Sequence, residues 1–568
     1  MLTRLGIRNF KVFDSVEIEL GDRVVFVGPN NSGKSSALQA LALWNDGVRR
    51  WVERHGFGPV AEERAGVTIQ RRDLIAVPVP SASLLWRDLH VREGYREEGK
   101  TKTRNILIEI DVDGVDGDQA WHTSLEFDYA NPESFYCRSR NGVDGNRLSV
   151  PDAAAHVRLA YLPPMSGLAT NETRLDEGAI DVRIGEGRTA EVLRNLCWLA
   201  LQRGEAQWRR IVERMRALFG VRLGDPEYVK QRGEVTLSFE TKSGVSLDLS
   251  ASGRGQQQTL LLLTHMAAHP GAVLLLDEPD AHLEILRQRQ IYEVLTDTAR
   301  ETCSQIIAAS HSEVILDEAA DRDIVVAFIG APHRIDDRGA QVVKALKELG
   351  FDQYLQAEET GWVLYLEGST DLDILRAFSR KLGHPASGLF ERPFVHYVAN
   401  QPKQARHHFH GLREAKPDLV GIALYDRLES LSEDPYLQQT MWRRREIENY
   451  LSQRSTLLSY AEALGKAQQG ELFATLWRQA MEESINEITS ALEKLGKPAP
   501  WGTEIKASDD FLNPLFKIFY AKRGLPNLMR KTDYHTLAPF VVEGELDAEV
   551  REKLDLIVDV ATRSRPRT

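Results

Sequence analysis

One short segment constrains this chain more than any other. Gly28–Ser36 reads GPNNSGKSS and fits the pattern G-x-x-x-x-G-K-[ST]. It follows the apolar run VVFV, typical of a central strand, and it precedes SSALQALALW, whose apolar spacing predicts a helix. An ordinary glycine-rich turn is the alternative, but the flanking strand and helix argue against it. The sequence therefore predicts an α/β domain with a phosphate-binding P-loop.

The residues of this loop have predicted roles. Its glycines let backbone N–H groups curl around phosphates at a helix N-terminus. Lys34 should reach the outer phosphates, and the Ser35 hydroxyl should coordinate Mg²⁺. The other residues expected to line the nucleotide are Gly28, Asn30, Asn31, Ser32, Gly33 and Ser36. The predicted cofactors are accordingly ATP and Mg²⁺.

A second motif lies in VLLLDEPDAHLE. An apolar strand delivers Asp277 to the metal, and the adjoining Glu278 is placed to polarise the attacking water. An acidic pair after a strand is often only a solvated strand end. Here it lies downstream of a P-loop, so DEP with Asp280 and His282 is typical of a Walker B motif followed by a D-loop.

Two further segments favour the ABC class of P-loop ATPases. LSASGRGQQQ resembles the ABC signature, in which Ser252, Gly253 and Gly255 would contact the γ-phosphate bound to the opposite subunit. His311 ends the strand-like IIAASH, where ABC ATPases keep a switch histidine; alone, such a histidine is usually a polar cap. Because each complete site would need two chains, we expect a homodimer, or a higher oligomer, through the ATPase domains.

Bulk properties exclude several classes of protein. The 568 residues are too many for one ordinary core. No apolar run approaches the roughly 20 residues of a membrane span, and MLTRLGIRNF lacks the apolar stretch of a signal peptide. We therefore expect a cytoplasmic protein with no membrane association. Cys137, Cys197 and Cys303 are widely spaced, which favours buried free thiols over disulfides or a zinc site.

The strand and helix patterns suggest three regions. Residues 1–350 should form the ATPase domain, with an insertion at about 49–189. Residues 351–454 begin a new strand and helix alternation, typical of a second α/β domain. Residues 455–568 are largely helical in pattern, and no heptad run is long enough for a coiled coil.

The second domain carries its own candidate site. Glu367 follows the apolar run VLYL, Asp371 lies four residues on, and Asp426 follows GIALY. Carboxylates at the carboxyl ends of neighbouring parallel strands meet at one edge of a sheet, where two or three of them can hold Mg²⁺. Such a site can activate water for phosphodiester cleavage. The alternative is a set of polar strand ends with no chemistry.

The order of these parts resembles a known family. An interrupted ABC ATPase followed by EGSTD and YDR resembles the OLD (overcoming lysogenization defect) family of ATPase-nucleases, to which the Gabija nuclease and related anti-phage defence proteins are similar. The resemblance implies a Toprim fold, with Glu367 as its glutamate, Asp371 as a companion and Asp426 as the first aspartate of D-x-D. It also implies Mg²⁺ or Mn²⁺ at that site.

The sequence departs from this pattern at Leu428, where the second aspartate of D-x-D is expected. Leucine cannot bind a metal. Either Glu429, Glu446 or Glu448 replaces the missing ligand, or the nuclease is altered or inactive. Glu446 and Glu448 belong to WRRREIENYL, which resembles a segment found after the Toprim core in related defence proteins and could equally be a charged helix surface.

Basic segments bear on the partner. The net charge of −12 means that nucleic acid, DNA or RNA, could bind only through local basic patches. The candidates are Lys403–Lys416 and Arg443–Arg445, and a solvated helix face is the alternative. His407, His408 and His410 lack nearby cysteines or fixed carboxylate spacing, which favours a surface cluster over zinc.

Three functions remain open. The first is an ATP-gated nuclease, for which the family resemblance implies a role against phage. The second is a nucleotide-dependent sensor or scaffold, whose degenerate Toprim domain binds a partner effector without cutting. The third is an ATPase that clamps DNA, and the missing coiled coil counts against it.

Overall fold

A computed structural model describes residues 1–58, 60–61, 66–97, 100–141, 146–241, 243–320, 322–335 and 350–567. The chain divides into two compact units, Met1–Val343 and Lys344–Thr568. The segment that leads to the predicted domain boundary at residue 350 lies outside the described residues.

The strands of the first unit are β1 (Leu2–Phe10), β2 (Phe13–Glu19), β3 (Arg23–Val27), β4 (Val60–Ala61), β5 (Val67–Gln70), β6 (Arg92–Glu97), β7 (Lys100–Asn105), β8 (Ile108–Asp116), β9 (Gln119–Asn131), β10 (Ser134–Ser139), β11 (Asn146–Arg147), β12 (Leu159–Leu162), β13 (Arg222–Leu223), β14 (Glu227–Val229), β15 (Glu234–Thr236), β16 (Ser238–Glu240), β17 (Ser246–Asp248), β18 (Val273–Asp277), β19 (Gln305–Ser310), β20 (Ile324–Ala327) and β21 (His333–Arg334). Its α-helices are α1 (Lys34–His55), α2 (Asp152–Ala155), α3 (Glu177–Gly185), α4 (Leu193–Arg203), α5 (Glu205–Phe219), α6 (Arg254–Ala268), α7 (Ile285–Thr302) and α8 (Glu313–Ala319). Short 3₁₀-helices lie at Arg71–Asp73, Ala82–Leu85, Arg87–Leu89, Thr189–Val192 and Leu249–Ala251.

The sheet that contains β3 has the order β12-β18-β19-β3-β20-β21 and is parallel except for β21. The run VVFV forms β3 in its interior, as predicted for a central strand. Alternate residues of β18 point to opposite faces, so Val273 and Leu275 pack in one core while Leu274 and Leu276 pack in another. Both faces of the sheet are covered, which explains why its strands are continuously apolar.

A second sheet of the first unit is antiparallel, with the order β2-β1-β8-β9-β10-β5. The stretch 49–189, which the sequence suggests is an insertion, supplies four of these six strands, and it also supplies β12 of the parallel sheet. Helix α1 packs against strands of both sheets, including β1, β10, β18 and β19. The stretch is therefore built into the core around the P-loop helix.

The strands of the second unit are β22 (Trp362–Leu366), β23 (Val395–Tyr397), β24 (Val420–Tyr425) and β25 (Leu437–Met441). Its helices are α9 (Phe351–Thr360), α10 (Ser369–Lys381), α11 (Ala386–Leu389), α12 (Pro402–Ala415), α13 (Arg454–Gln469), α14 (Glu471–Lys494), α15 (Asn513–Lys522) and α16 (Ala548–Thr562). Short helices of other types lie at Ile447–Tyr450, Ala507–Leu512, Lys531–Phe540 and Glu543–Glu545.

The sheet of the second unit has the order β23-β22-β24-β25, and all three pairings are parallel. Apolar side chains of β22 and β24 share one hydrophobic core with α10 and with helices α13 to α16. The carboxyl ends of β22 and β24, which pair directly, therefore lie side by side.

One prediction about the thiols is wrong. Cys137 and Cys197 are buried, but Cys303 is exposed. Cys303 follows α7 with a φ of 52°, so it ends that helix in the left-handed region at the surface. Within the described parts of the chain, no helix is long and apolar enough to cross a membrane.

Candidate nucleotide site and acidic site

The P-loop connects β3 to α1, and both of its glycines are required by its shape. Gly28 and Gly33 have φ values of 153° and 102°. A Cβ on Gly33 would lie 2.7 Å from Phe13 Cζ, and one on Gly28 would lie 2.7 Å from the carbonyl oxygen of Phe328. Larger residues would therefore be strained and also crowded at both positions.

The lysine of the loop is buried beside the carboxylates of the site. Lys34 Nζ donates to the carbonyl oxygens of Gly28 and Pro29 at 2.7 and 2.8 Å. Burial lowers the pKa of Lys34, while Asp277 and Glu278 act to raise it. The remaining loop residues differ in exposure: Asn30, Asn31 and Ser35 are exposed, Ser32 and Ser36 are half-buried, and Gly33 is buried.

The structure brings Ser35 and Asp277 together. Ser35 Oγ donates to Asp277 Oδ1 at 3.0 Å, and the Tyr161 hydroxyl donates to Asp277 Oδ2 at 3.2 Å. Each carboxylate oxygen thus has one donor. Burial raises the pKa of Asp277, and these two hydrogen bonds oppose the rise. A side-chain hydroxyl beside a carboxylate at a helix N-terminus matches the Mg²⁺ arrangement of P-loop ATPases.

Glu278 and His311 are also neighbours. Glu278 has a φ of 51°, and its N–H donates to the carbonyl of Ala309 at 2.9 Å, which joins the end of β18 to β19. His311 Nδ1 lies 3.8 Å from Glu278 Oε1. The two side chains are 56% and 36% exposed, so both can reach water. This suits a general base and a nearby sensor of the outer phosphate.

A hydrogen bond from β19 fixes the first residue of the predicted D-loop. Asp280 is buried, and its Oδ1 accepts a hydrogen bond from Ser310 Oγ at 2.8 Å. Burial raises the pKa of Asp280. His282, in contrast, is exposed and has a φ of 64°. Within this motif, the side chain of Asp280 is therefore buried in the domain, whereas that of His282 is exposed to solvent.

The signature-like turn lies at the start of α6, as the sequence predicts. Gly253 is the residue before the helix, and Ser252 Oγ donates to the carbonyl of Leu249 at 2.6 Å. A Cβ on Gly255 would lie 3.2 Å from the carbonyl oxygen of His282. The turn and the D-loop therefore contact each other, and Gly255 permits the close approach.

A P-loop between strand and helix, a parallel sheet and a serine paired with a Walker B aspartate define a P-loop ATPase domain, which implies ATP and Mg²⁺. Residues 23–317 match the family described as "AAA domain, putative AbiEii toxin, Type IV TA system". That span is more than half of the 568 residues, and the chain belongs to this family. No curated protein sequence matches the chain.

Solved structures that match the chain include heads of SMC proteins. An SMC head bound to the C-terminal winged-helix domain of ScpA is 17% identical, with 59% of this chain and 97% of that chain covered and a TM-score of 0.35. The SMC head domain from Thermotoga maritima is 14% identical, with 59% and 98% covered and a TM-score of 0.31. An SMC head with an extended coiled coil, bound to the C-terminal domain of ScpA derived from Pyrococcus furiosus, is 14% identical, with 59% and 95% covered and a TM-score of 0.36.

In the second unit, two predicted acidic residues meet. Glu367 follows β22 and Asp426 follows β24, and their side chains form a hydrogen bond. Burial and this hydrogen bond raise the pKa of Asp426. Asp371 lies in the first turn of α10 and accepts a hydrogen bond from the N–H of Gly368 at 3.1 Å. Burial raises the pKa of Asp371 to about 6.

The other predicted ligands differ in their surroundings. Glu446 is buried and accepts a hydrogen bond from the N–H of Ser508, so it stabilises the backbone. Glu448 is also buried, which raises its pKa, and its charge acts on Asp426. Glu429 is exposed. Among the possible replacements for the residue lost at Leu428, Glu448 acts electrostatically on Asp426 and helps to raise its pKa.

Among the described residues, no group of three or more histidine, cysteine, aspartate or glutamate side chains is placed to hold a metal ion. The acidic residues instead interact with two lysines that the sequence does not predict at this site. Lys531 Nζ lies 3.7 Å from Glu448 Oε1, and the charge of Lys506 interacts with Glu446 and Glu367. Both lysines come from the helical tail, where the sequence pattern gives no sign that they face β22 and β24.

Part of the charge in the predicted basic patches is paired with carboxylates within the second unit. The pairs and their distances are His410 with Asp434 at 2.8 Å, Lys416 with Asp418 at 3.2 Å, Arg443 with Glu552 at 2.6 Å and Arg444 with Asp547 at 3.2 Å. His408 is not at the surface, contrary to the prediction. It is buried, its ring stacks on His396 with centroids 3.7 Å apart, and its Nδ1 hydrogen-bonds the Tyr365 hydroxyl at 2.9 Å.

Proposed function

We propose that ATP binding and hydrolysis in the first unit control a metal-dependent nuclease site in the second. The hydrogen-bonded pair Glu367 and Asp426 carries this proposal. These two carboxyl groups lie at the ends of adjacent parallel strands, at the edge where α/β sheets place their active sites. The resemblance to the OLD family extends the proposal to defence against phage.

The donor chemistry suits a hard dication such as Mg²⁺ or Mn²⁺. Mg²⁺ keeps several waters and uses only one or two protein carboxylates together with substrate phosphates. Glu367 and Asp426 can therefore suffice, even though the second aspartate of D-x-D is replaced by Leu428. A bound dication would polarise the phosphoryl group and activate a water molecule. Asp371 and Glu448 would add negative charge around it, because both interact electrostatically with Asp426.

Two lysines place positive charge beside the acidic residues of this site. Lys531 interacts with both Glu448 and Glu367, and Lys506 interacts with Glu367. An ammonium group beside a carboxylate pair can bind a phosphate oxygen and stabilise the negative charge that develops on it. We assign Lys531 and Lys506 to phosphate binding in the proposed nuclease.

The first unit should dimerise in the manner of ABC ATPases. Ser252 and Gly253 would contact the γ-phosphate bound to a second copy. Two large apolar side chains, Ile285 and Leu286, directly follow the D-loop and are 71% and 79% exposed. Apolar side chains this exposed, next to segments that ABC dimers bring together, fit an interface that forms and dissociates with nucleotide.

The nuclease assignment is tested with purified full-length protein, plasmid DNA and structured RNA. Each substrate is incubated with Mg²⁺ or Mn²⁺, with and without ATP. Glu367→Gln should abolish cleavage because it removes the charge that binds the metal. Glu429→Gln is the matched control, since Glu429 is exposed, and it should cleave like the wild type. Cleavage by Glu367→Gln at the wild-type rate would contradict the assignment.

A second candidate function is a nucleotide-dependent sensor or scaffold that binds a partner effector. The leucine at position 428 favours it, because the D-x-D motif lacks its second acid. In that case no substrate is cut with either metal, while nucleotide still changes the oligomeric state of the protein.

A further inference from the structure

Tyr161 has no assigned role, yet it lies at the predicted metal site. It is in β12, the strand beside the Walker B strand β18, and its hydroxyl donates to Asp277 Oδ2 at 3.2 Å. The same hydroxyl is hydrogen-bonded by the side chain of Gln39, which lies in α1. Gln39 Oε1 in turn accepts a hydrogen bond from Lys11 Nζ. Four side chains therefore form one chain of hydrogen bonds that ends at Asp277.

The direction of this chain follows from the chemistry of its members. A lysine ammonium can only donate, so the oxygen of the Gln39 amide faces Lys11. The Gln39 –NH₂ group then faces Tyr161 and donates to the phenolic oxygen. The single proton of the Tyr161 hydroxyl is thereby directed at Asp277. Hydrogen bonds aligned in one direction polarise and strengthen each other.

We propose that Tyr161 is a positioning residue for Asp277 and that Gln39 and Lys11 fix its orientation. The inference rests on the proposed roles of Asp277 and Ser35 at the metal. If the Ser35 hydroxyl turned its oxygen to a bound Mg²⁺, the Tyr161 hydroxyl would still donate to Asp277 and would hold the orientation of its carboxylate. Lys11 lies in the turn between β1 and β2, and its neighbours Val12 and Phe13 pack near Gly33. The chain thus links that turn to the metal ligand.

A purely structural explanation is that Tyr161 only satisfies a polar group at the edge of the sheet. The first unit contains a matched control for this explanation. Tyr292 is a buried tyrosine whose hydroxyl also donates to an aspartate carboxylate, at 2.5 Å from Asp323 Oδ2. Asp323 lies just before β20, at its amino end, whereas the P-loop follows the carboxyl end of the neighbouring strand β3. The two Tyr→Phe variants therefore remove the same kind of hydrogen bond, from a tyrosine hydroxyl to an aspartate, once at the predicted metal site and once away from it.

The experiment measures ATP binding by full-length wild type, Tyr161→Phe and Tyr292→Phe as Mg²⁺ is varied, and ATP binding in EDTA. Tyr161→Phe should need about tenfold more Mg²⁺ for half-maximal binding, since one hydrogen bond to a charged group is lost. Its metal-free binding should equal that of the wild type. Tyr292→Phe should keep the wild-type Mg²⁺ dependence.

A wild-type Mg²⁺ dependence in Tyr161→Phe, or the same shift in Tyr292→Phe, would overturn the proposal. If Tyr161→Phe does not fold, Gln39→Leu carries the test, and it should shift the Mg²⁺ requirement in the same direction by a smaller factor. An unchanged requirement in Gln39→Leu would then overturn it. Lys34→Ala distinguishes a failure of this proposal from a failure of the nucleotide-site assignment. If Lys34→Ala binds ATP normally, the nucleotide-site assignment is wrong, whatever the result for Tyr161→Phe.

Discussion

Ser35 and Asp277 are 242 positions apart in the chain, and the hydroxyl of one donates to the carboxylate of the other at 3.0 Å. The bond forms because β3 and β18 are both strands of one parallel sheet and both end at the same edge. Ser35, in the first turn of α1, and Asp277, the last residue of β18, can therefore share one Mg²⁺.

The base and the lysine of the nucleotide site should be separable by mutation. Glu278→Gln should bind ATP but hydrolyse it at least about a hundredfold more slowly, because the amide cannot accept a proton from water. Closed dimers should then accumulate, as measured by light scattering with ATP and Mg²⁺. Lys34→Ala should lose ATP binding. Hydrolysis by Glu278→Gln at the wild-type rate would show that another residue is the base.

The signature turn should act on the nucleotide of a second copy. Ser252→Arg and Lys34→Ala should each be inactive alone, because each destroys both sites of a homodimer. In an equal mixture, half of the dimers are mixed, and each keeps one intact site, so about a quarter of wild-type ATPase activity should return. If the signature acted on the nucleotide of its own chain, mixing would restore nothing.

The exposed apolar pair after the D-loop should contribute to ATP-dependent dimerisation. Leu286→Lys should weaken the dimer formed by the Glu278→Gln protein and leave the thermal unfolding temperature unchanged, since the side chain is 79% exposed. Leu495→Lys is the matched control, with a leucine that is 72% exposed in the second unit. A dimer weakened equally by both substitutions would argue against a specific interface at α7.

Burial of Asp371 should make the stability of the protein pH-dependent. Its pKa is raised to about 6, so its contribution to stability is fully present at pH values below the unfolded pKa of about 3.8 and is lost as the pH rises through 6. In EDTA at pH 7 to 8, Asp371→Asn should therefore unfold at a higher temperature than the wild type. The amide oxygen can still accept the hydrogen bond from Gly368.

Asp509 provides the opposite case for the same measurement. It is exposed, and its hydrogen bond with Lys506 lowers its pKa. Asp509→Asn should therefore destabilise the protein at neutral pH and have no effect in acid. If both substitutions changed the unfolding temperature in the same direction at pH 7 to 8, the assigned environment of Asp371 would be wrong.

The sequence by itself determined the P-loop, the Walker B motif and the assignment of the first domain to the P-loop ATPases. These are local strings, such as GPNNSGKSS and the run from Val273 to Asp280, in which chemistry and secondary structure depend on adjacent residues. The strands predicted at VLYL and GIALY likewise placed Glu367 and Asp426 at the ends of neighbouring parallel strands. The spacing of residues along the chain is sufficient to predict these features.

Only the tertiary structure decided which distant side chains complete each site. Tyr161 meets Asp277, and Lys531 meets Glu448, through the packing of elements whose spacing in the chain carries no signal. The same packing buries His408 against His396, leaves Cys303 exposed and pairs Arg443 with Glu552. The physical reason is that burial and pairing depend on which faces of the helices and strands meet, whereas a motif records only what its own segment can do.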